Sequence, residues 1–381
     1  MAVAPAIRRY TRIVRVGGAV LLAAAVLFVT SCSSWGPRHI APDRFNYNEA
    51  IARSAKEQML LNIVRLRYLE VPLFLSLGSV LTQYFYAGTL GVGGTVDFSS
   101  AGKDTATGSL EFGYVERPTI TYLPVEGREF AAHLLSPIPA EMFFAAAQAG
   151  WPSDILMRIG IQRIGAMENI SLATMPITEA PERQPYLDRE FEKARRFKRA
   201  LRLMLILSDD EIMEVQIRKE GGNEARYLVF SDHVPPNLQP QVAELKELLG
   251  LGAQNAYRFT EHLTQTQADE ISIQTRSILA MMDFLSKGVE VPAEHLQAGS
   301  VVDYTFIKRG RETERLIPFR IRSGKDKPDN SFSSVKYGAY WYFIENNDIN
   351  SKRTLGLIMN LFRLQAPTPE GAAPLLTIPT G

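Results

Sequence analysis

Residues 84–99 read Tyr-Phe-Tyr-Ala-Gly-Thr-Leu-Gly-Val-Gly-Gly-Thr-Val-Asp-Phe-Ser, and their period of two decides the fold class. One parity holds Tyr84, Tyr86, Gly88, Leu90, Val92, Gly94, Val96 and Phe98. The other holds Phe85, Ala87, Thr89, Gly91, Gly93, Thr95, Asp97 and Ser99. Successive side chains of a strand point to opposite faces, so this is an extended segment with one apolar and one small or polar face. A polar loop, SAGKDTA, follows. The return run places Leu110, Phe112 and Tyr114 on one side and Ser109, Glu111, Gly113 and Arg117 on the other. Together they predict an amphipathic β-hairpin over 84–117 within a strand-rich region spanning 73–123.

Helical patterns surround it. Ile51, Ala55, Met59, Ile63 and Leu66 recur at three- to four-residue steps, which predicts a helix over 49–68 capped by Asn48. Further helices are expected at 130–135, 140–149, 187–207, 240–249, 278–287 and 352–364. Strands are expected at 225–231, 256–262, 270–276, 301–308, 315–322 and 336–344. Gly250 and Gly288 stand where helix C-caps fall. Strands and helices mixed without βαβ regularity predict an α+β fold: mostly antiparallel sheets with packed helices. The prolines of PITEAPERQP, at 176, 181 and 185, mark the expected division between α+β domains at 46–180 and 186–365. Residues 366–381, with four prolines, read as a flexible tail.

The N-terminus carries a different signal. Arg8, Arg9, Arg12 and Arg15 come without an acidic residue, and an apolar run of about 14 residues ends at Val29. That run is short of the roughly 20 residues a spanning helix needs. Thr30 and Ser31 then precede Cys32, the sole cysteine. This order resembles the signal peptide and lipobox of bacterial lipoprotein precursors over residues 8–33. The resemblance implies a signal peptide at 1–31, a diacylglycerol on the Cys32 thiol, an acylated amine at the new N-terminus, and a tether at 32–45. Ser33, in place of an aspartate, leans towards the outer membrane. An uncleaved signal anchor would share the charge and apolar order.

Composition narrows the chemistry. The whole chain has net charge +1, and the part from Cys32 onward has −3. That gives no electrostatic case for nucleic acid. A single, lipidated cysteine leaves no disulfide, so the core must hold the fold. The five histidines (His39, His133, His233, His262 and His295) show no metal-ligand spacing. Gly91-Val92-Gly93-Gly94 sits where a strand continues, whereas a dinucleotide fingerprint needs a helix there. Ser333-Ser334-Val335-Lys336 matches Ser-x-x-Lys, but a strand-like aromatic run follows and the partner motifs are absent. That run, 336–344, places Tyr337, Ala339, Trp341 and Phe343 on one face and Tyr340, Tyr342 and Ile344 on the other, as a central strand buried on both faces would. The bases Lys193, Arg195, Arg196, Lys198, Arg199 and Arg202 follow Asp188, Glu190 and Glu192, an order suited to a solvated helix and its dipole.

The expectation is a lipid-anchored envelope protein facing the periplasm, a non-enzymatic assembly or interaction component. It needs no cofactor or metal, and its partners are the membrane through Cys32 and an envelope protein or further copies of itself. Two alternatives stay open. One is an oligomeric outer-membrane pore whose hairpin presents Tyr84, Tyr86, Leu90, Val92, Phe98, Leu110, Phe112 and Tyr114 to lipid or a partner. The other is a hydrolase of peptidoglycan or glycan with unidentified catalytic groups.

Overall fold

A computed structural model describes residues 35–95, 105–171, 180–262, 267–304 and 317–365. Cys32, the signal segment, Phe98 and the tail at 366–381 lie outside these residues. The fold is α+β. The chain divides into two compact units, residues 1–58 and 59–381.

Within the first unit the described residues form most of helix α1 (Trp35–Arg67). The helix begins at Trp35, well before the expected start near Asn48, so it takes in most of the segment expected as a tether. Pro37 falls in its first turn, where a missing N–H leaves no helical bond unmade. Glu49 and Arg53, one turn apart, pair at 3.0 Å on its surface.

The second unit opens on the last turns of α1. Met59, Leu60, Ile63 and Val64 are buried there, which continues the predicted apolar face. Strands β1 (Phe74–Thr95) and β2 (Thr105–Val125) follow and pair antiparallel along their whole length. Among the described residues they make a sheet of two strands, with no third beside them. Three short helices come next: α2 (Arg128–Leu135), α3 (Ala140–Gln148) and α4 (Ser153–Gly160).

The body is built on a six-stranded sheet. Its strands are β3 (Ile161–Ile164), β4 (Met167–Glu168), β5 (Met213–Glu220), β6 (Asn223–Phe230), β7 (Ala256–Thr260) and β8 (Glu270–Thr275). Their order is β4-β3-β8-β7-β6-β5, antiparallel except between β7 and β8. Between β4 and β5 runs the long helix α5 (Ala180–Asp209), with Pro185 inside it. The sheet therefore continues across the proline segment expected to separate two domains, because β3 and β4 precede that segment and β5 to β8 follow it. Helix α6 (Gln239–Leu249) packs on α5 and ends at Gly250, whose left-handed φ of 68° makes the expected C-cap.

Helices α7 (Ile278–Ser286) and α8 (Ala293–Gln297) lead to a three-stranded sheet and the closing helix α9 (Ile349–Gln365). Gly288 is not the cap of α7, which is Lys287. Its role is close approach: a Cβ there would lie 2.3 Å from the Phe319 carbonyl oxygen. The three-stranded sheet has the order β10-β11-β9, from β9 (Arg322–Gly324), β10 (Ser331–Tyr337) and β11 (Tyr340–Glu345). The single strand expected at 336–344 is in fact split. Gly338, with φ 58°, turns the chain and lets Tyr337 pair with Tyr340. As expected, β11 is central, with Tyr340, Tyr342 and Ile344 buried; its other face is half-buried.

Candidate functional site

The feature that sets this molecule apart is the β1–β2 ribbon. At about 3.3 Å per residue, its 22-residue first strand is roughly 70 Å long. The register realises the predicted hairpin and extends it at both ends. Tyr84 faces Glu116, Tyr86 faces Tyr114, Gly88 faces Phe112, Leu90 faces Leu110 and Val92 faces Gly108. Directly paired positions share a face, so the apolar parity of β1 and that of β2 coincide. The Gly91–Gly94 run lies inside the paired strand, opposite Ser109 to Ala106.

The root of the ribbon is held by residues that sequence reading did not single out. Phe74 is 2% exposed and stacks on Phe362 of α9 at 4.6 Å, while Phe130 of α2 meets it edge-on at 5.8 Å. Asn62, fully buried in the last turns of α1, binds both backbone groups of Leu73. Its Nδ2 donates to the carbonyl at 2.8 Å and its Oδ1 accepts from the amide at 3.0 Å. A buried asparagine has to find such partners, so an Asn amid the apolar residues Met59, Leu60, Ile63 and Val64 was the signal available in the sequence.

Past the root, burial stops. On β2, Ile120 and Tyr122 lie on one face and Thr121 and Leu123 on the other, and all four are exposed, Tyr122 by 54%. Both faces of the ribbon are uncovered at this level. Leu69, Val71 and Leu73 beside the root are also exposed, Val71 by 85%. Leu69 holds a left-handed φ of 63°, an uncommon conformation for a leucine.

Next to this segment a tyrosine cluster ties the end of α1 to the C-terminal sheet. The Tyr68 hydroxyl bonds the Tyr342 hydroxyl at 2.5 Å and His295 Nδ1 at 2.7 Å. Tyr337 donates to Glu70 at 2.6 Å, and Tyr340 donates to Glu294. Burial raises the pKa of the Tyr68 and Tyr342 hydroxyls, and burial plus the Glu70 carboxylate raises that of Tyr337. These groups stay protonated and act as hydrogen-bonding braces.

The other sequence candidates are dispersed. Ser333 is buried in β10 and Lys336 is exposed on the same strand. Three positions apart on a strand, the two point to opposite faces. The basic run of α5 is tied to acids: Arg199 binds Glu244 through two bonds at 2.7 and 2.6 Å, Arg195 binds Glu192, and Lys193 binds Glu190 and Glu168. That is the solvated, ion-paired helix the sequence predicted. An apolar cavity of about 170 Å³ between α3, α4, α5 and the sheet is lined by Phe143, Met157, Leu201, Met204 and Phe259, with Asp154 its one ionisable lining residue. Among the described residues no group of His, Cys, Asp or Glu is placed to hold a metal ion. Among them, too, no helix is long and apolar enough to cross a membrane. Comparison with protein-family models, with curated proteins and with solved structures finds no match for this chain.

Proposed function

We propose that this chain is a lipid-anchored cell-envelope protein, held through Cys32 at the outer membrane with its body in the periplasm, and that it is a non-enzymatic assembly component acting through the β1–β2 ribbon. The observation that supports this is a self-paired ribbon of 22 and 21 residues whose β2 residues just past the root, Thr119 to Leu123, are exposed on both faces. An isolated two-stranded hairpin is marginal in water, and exposed apolar groups at this density mark an interaction surface. A long ribbon is useful if something else completes it. The test is the lipidated protein isolated in mild detergent, with its subunit number and co-purifying proteins measured. A defined multimer or complex is expected; a lone monomer contradicts the proposal. Changing Cys32 to Ser tests the anchor separately, and normal processing and membrane attachment of that variant would overturn it.

A second reading, an oligomeric pore, is favoured by the register of the distal half. The aromatic positions Tyr84, Phe85 and Tyr86 stand level with Tyr114, Val115 and Glu116, and Arg117 follows. From there to Thr95 and Thr105 the ribbon holds one charged residue, Glu111, on the polar parity. A transmembrane strand needs about 9–11 residues of such alternation, bounded by aromatics at the interface. On this reading Leu90→Lys abolishes dye release from liposomes, whereas Gly91→Lys, on the other parity, keeps it. Equal loss from both would contradict the pore.

A further inference from the structure

We infer that the free edge of β1 in one copy receives the free edge of β2 in the next, so that successive ribbons close head to tail into a ring. The inference rests on the assembly reading above. It adds the partner, a second copy of this chain, and the edge that each copy contributes.

Three observations carry it. The first is the composition of β1: its 22 residues contain no charged residue and no proline. Along its distal part, 83–95, such an edge strand offers its N–H and C=O groups to a further strand, and proteins ordinarily blunt edges of this kind with charge, proline, shortness or cover. The second is that this chain does blunt its other described edges. The outer strand β5 of the six-stranded sheet carries Glu214, Arg218, Lys219 and Glu220 among its eight residues. The opposite outer strand, β4, is two residues long. In the C-terminal sheet β9 has three residues and β10 carries Lys336. The bare edge of β1 is therefore an exception within one molecule. The third observation is the distribution of prolines on β2. Pro118 and Pro124 remove donors near the root, while Thr105–Arg117 has none. The pairing places Arg117 opposite Gln83, so the proline-free part of both edges is the distal half, 83–95 with 105–117, where the charges Glu111, Glu116 and Arg117 all lie on β2 and none on β1.

Symmetry then selects the mode. Joining β1 to β1 satisfies two edges and leaves both β2 edges bare. Joining β1 to β2 of the next copy uses both edges of every copy, and a closed ring leaves none. Because β1 and β2 run antiparallel within a copy, each new contact is also antiparallel, as in an up-and-down barrel.

The experiment uses the full-length lipidated protein in mild detergent. One set of copies carries Thr89→Cys in β1. A second set carries one cysteine at each position from 105 to 117 in turn. Each pair is mixed before assembly and then oxidised, and the subunit number is measured in parallel. The expected result is a disulfide-linked dimer between the sets at one or two neighbouring β2 positions, at least tenfold above Thr89→Cys alone. Dimers of Thr89→Cys with itself would overturn the head-to-tail mode. A multimer without cross-links at any β2 position would overturn edge pairing and leave the assembly reading standing. A monomer throughout would overturn both.

Discussion

The six-stranded sheet and the β1–β2 ribbon are made by one chain from similar residues, yet they solve the edge problem in opposite ways. The sheet closes its register with a short strand on one side and the charged β5 on the other. One of its faces is covered, and Leu228, Phe230, Tyr257, Ile271 and Ile273 are buried on it. The ribbon is longer than any strand of the sheet, holds no charge on β1 and, among the described residues, pairs with itself alone. Alternation by itself does not separate these fates. A following helix does not separate them either, since α2 starts at Arg128 just after β2 ends at Val125 and reaches the ribbon root through Phe130. Helices α4, α5 and α6 lie close in sequence to β3 through β7. At the ribbon root Phe74 is buried, while Ile120, Tyr122 and Leu123 of β2 are exposed.

If this contrast is right, the two regions should be separable. Replacing 84–117 by a short turn should remove the multimer entirely while the body keeps its unfolding midpoint within a few degrees, as followed by circular dichroism. A body that fails to fold would show that the ribbon belongs to the core after all. Within the root, Phe74→Ala should cost about 3–5 kcal/mol in urea unfolding, the usual range for a buried phenylalanine. In the body, Arg276 sits among backbone carbonyls, donating to those of Arg158 and Ile159 at 3.1 Å and of Ile170 at 2.6 Å. It caps the C-terminal end of α4, and burial lowers its pKa to about 10. Arg276→Met removes all three of these bonds, although the Arg158 carbonyl keeps Asn169 Nδ2 at 2.8 Å, and should cost about 2–4 kcal/mol with no effect on subunit number.

Smaller changes sharpen the boundary between the regions. Tyr342→Phe removes a fully buried hydroxyl from Tyr68 and should cost roughly 1 kcal/mol. Limited proteolysis should then locate the loosening at Leu69–Leu73, beside the ribbon root. The smallest effect is electrostatic. Lys193, bonded to the Glu168 carboxylate at 3.0 Å, holds it below its usual pKa. A carboxyl with a lowered folded pKa adds stability above its unfolded value, about 4.3, and loses it as the pH falls through the folded one. The pair is partly exposed, so acid titration of Glu168→Gln against the parent should differ by less than about 1 kcal/mol.

Much of this was legible in the residues. The parity of 84–95 and 110–114 matches the paired hairpin, and α6, α7 and α9 fall within three residues of the expected helices, whereas α5 starts seven residues before the expected 187. Strand β5 was missed although Met213, Val215 and Ile217 alternate with the polar residues Glu214, Gln216 and Arg218, because an edge strand exposed over half its length has a weak apolar signal. The break at Gly338 was hidden by aromatics that continue on both sides of a two-residue turn. Proline spacing misled at 181 and 185, where α5 begins, since composition shows where a chain can bend and not whether a sheet continues beyond. The root could not be read at all. Phe74, Phe130 and Phe362 are ordinary apolar residues whose meeting is a tertiary fact. The parity of the ribbon was visible, but the lack of a third strand among the described residues was not, because the same pattern serves a covered sheet equally well.

The stack of Phe74 on Phe362 has a temporal meaning as well. A chain made from its N-terminus carries both ribbon strands long before it carries α9. The uncharged β1 edge is therefore complete while the helix that finishes its seat is still to be synthesised. The order in which the parts come into existence is the reverse of the order in which they depend on one another: the ribbon is written early and seated last.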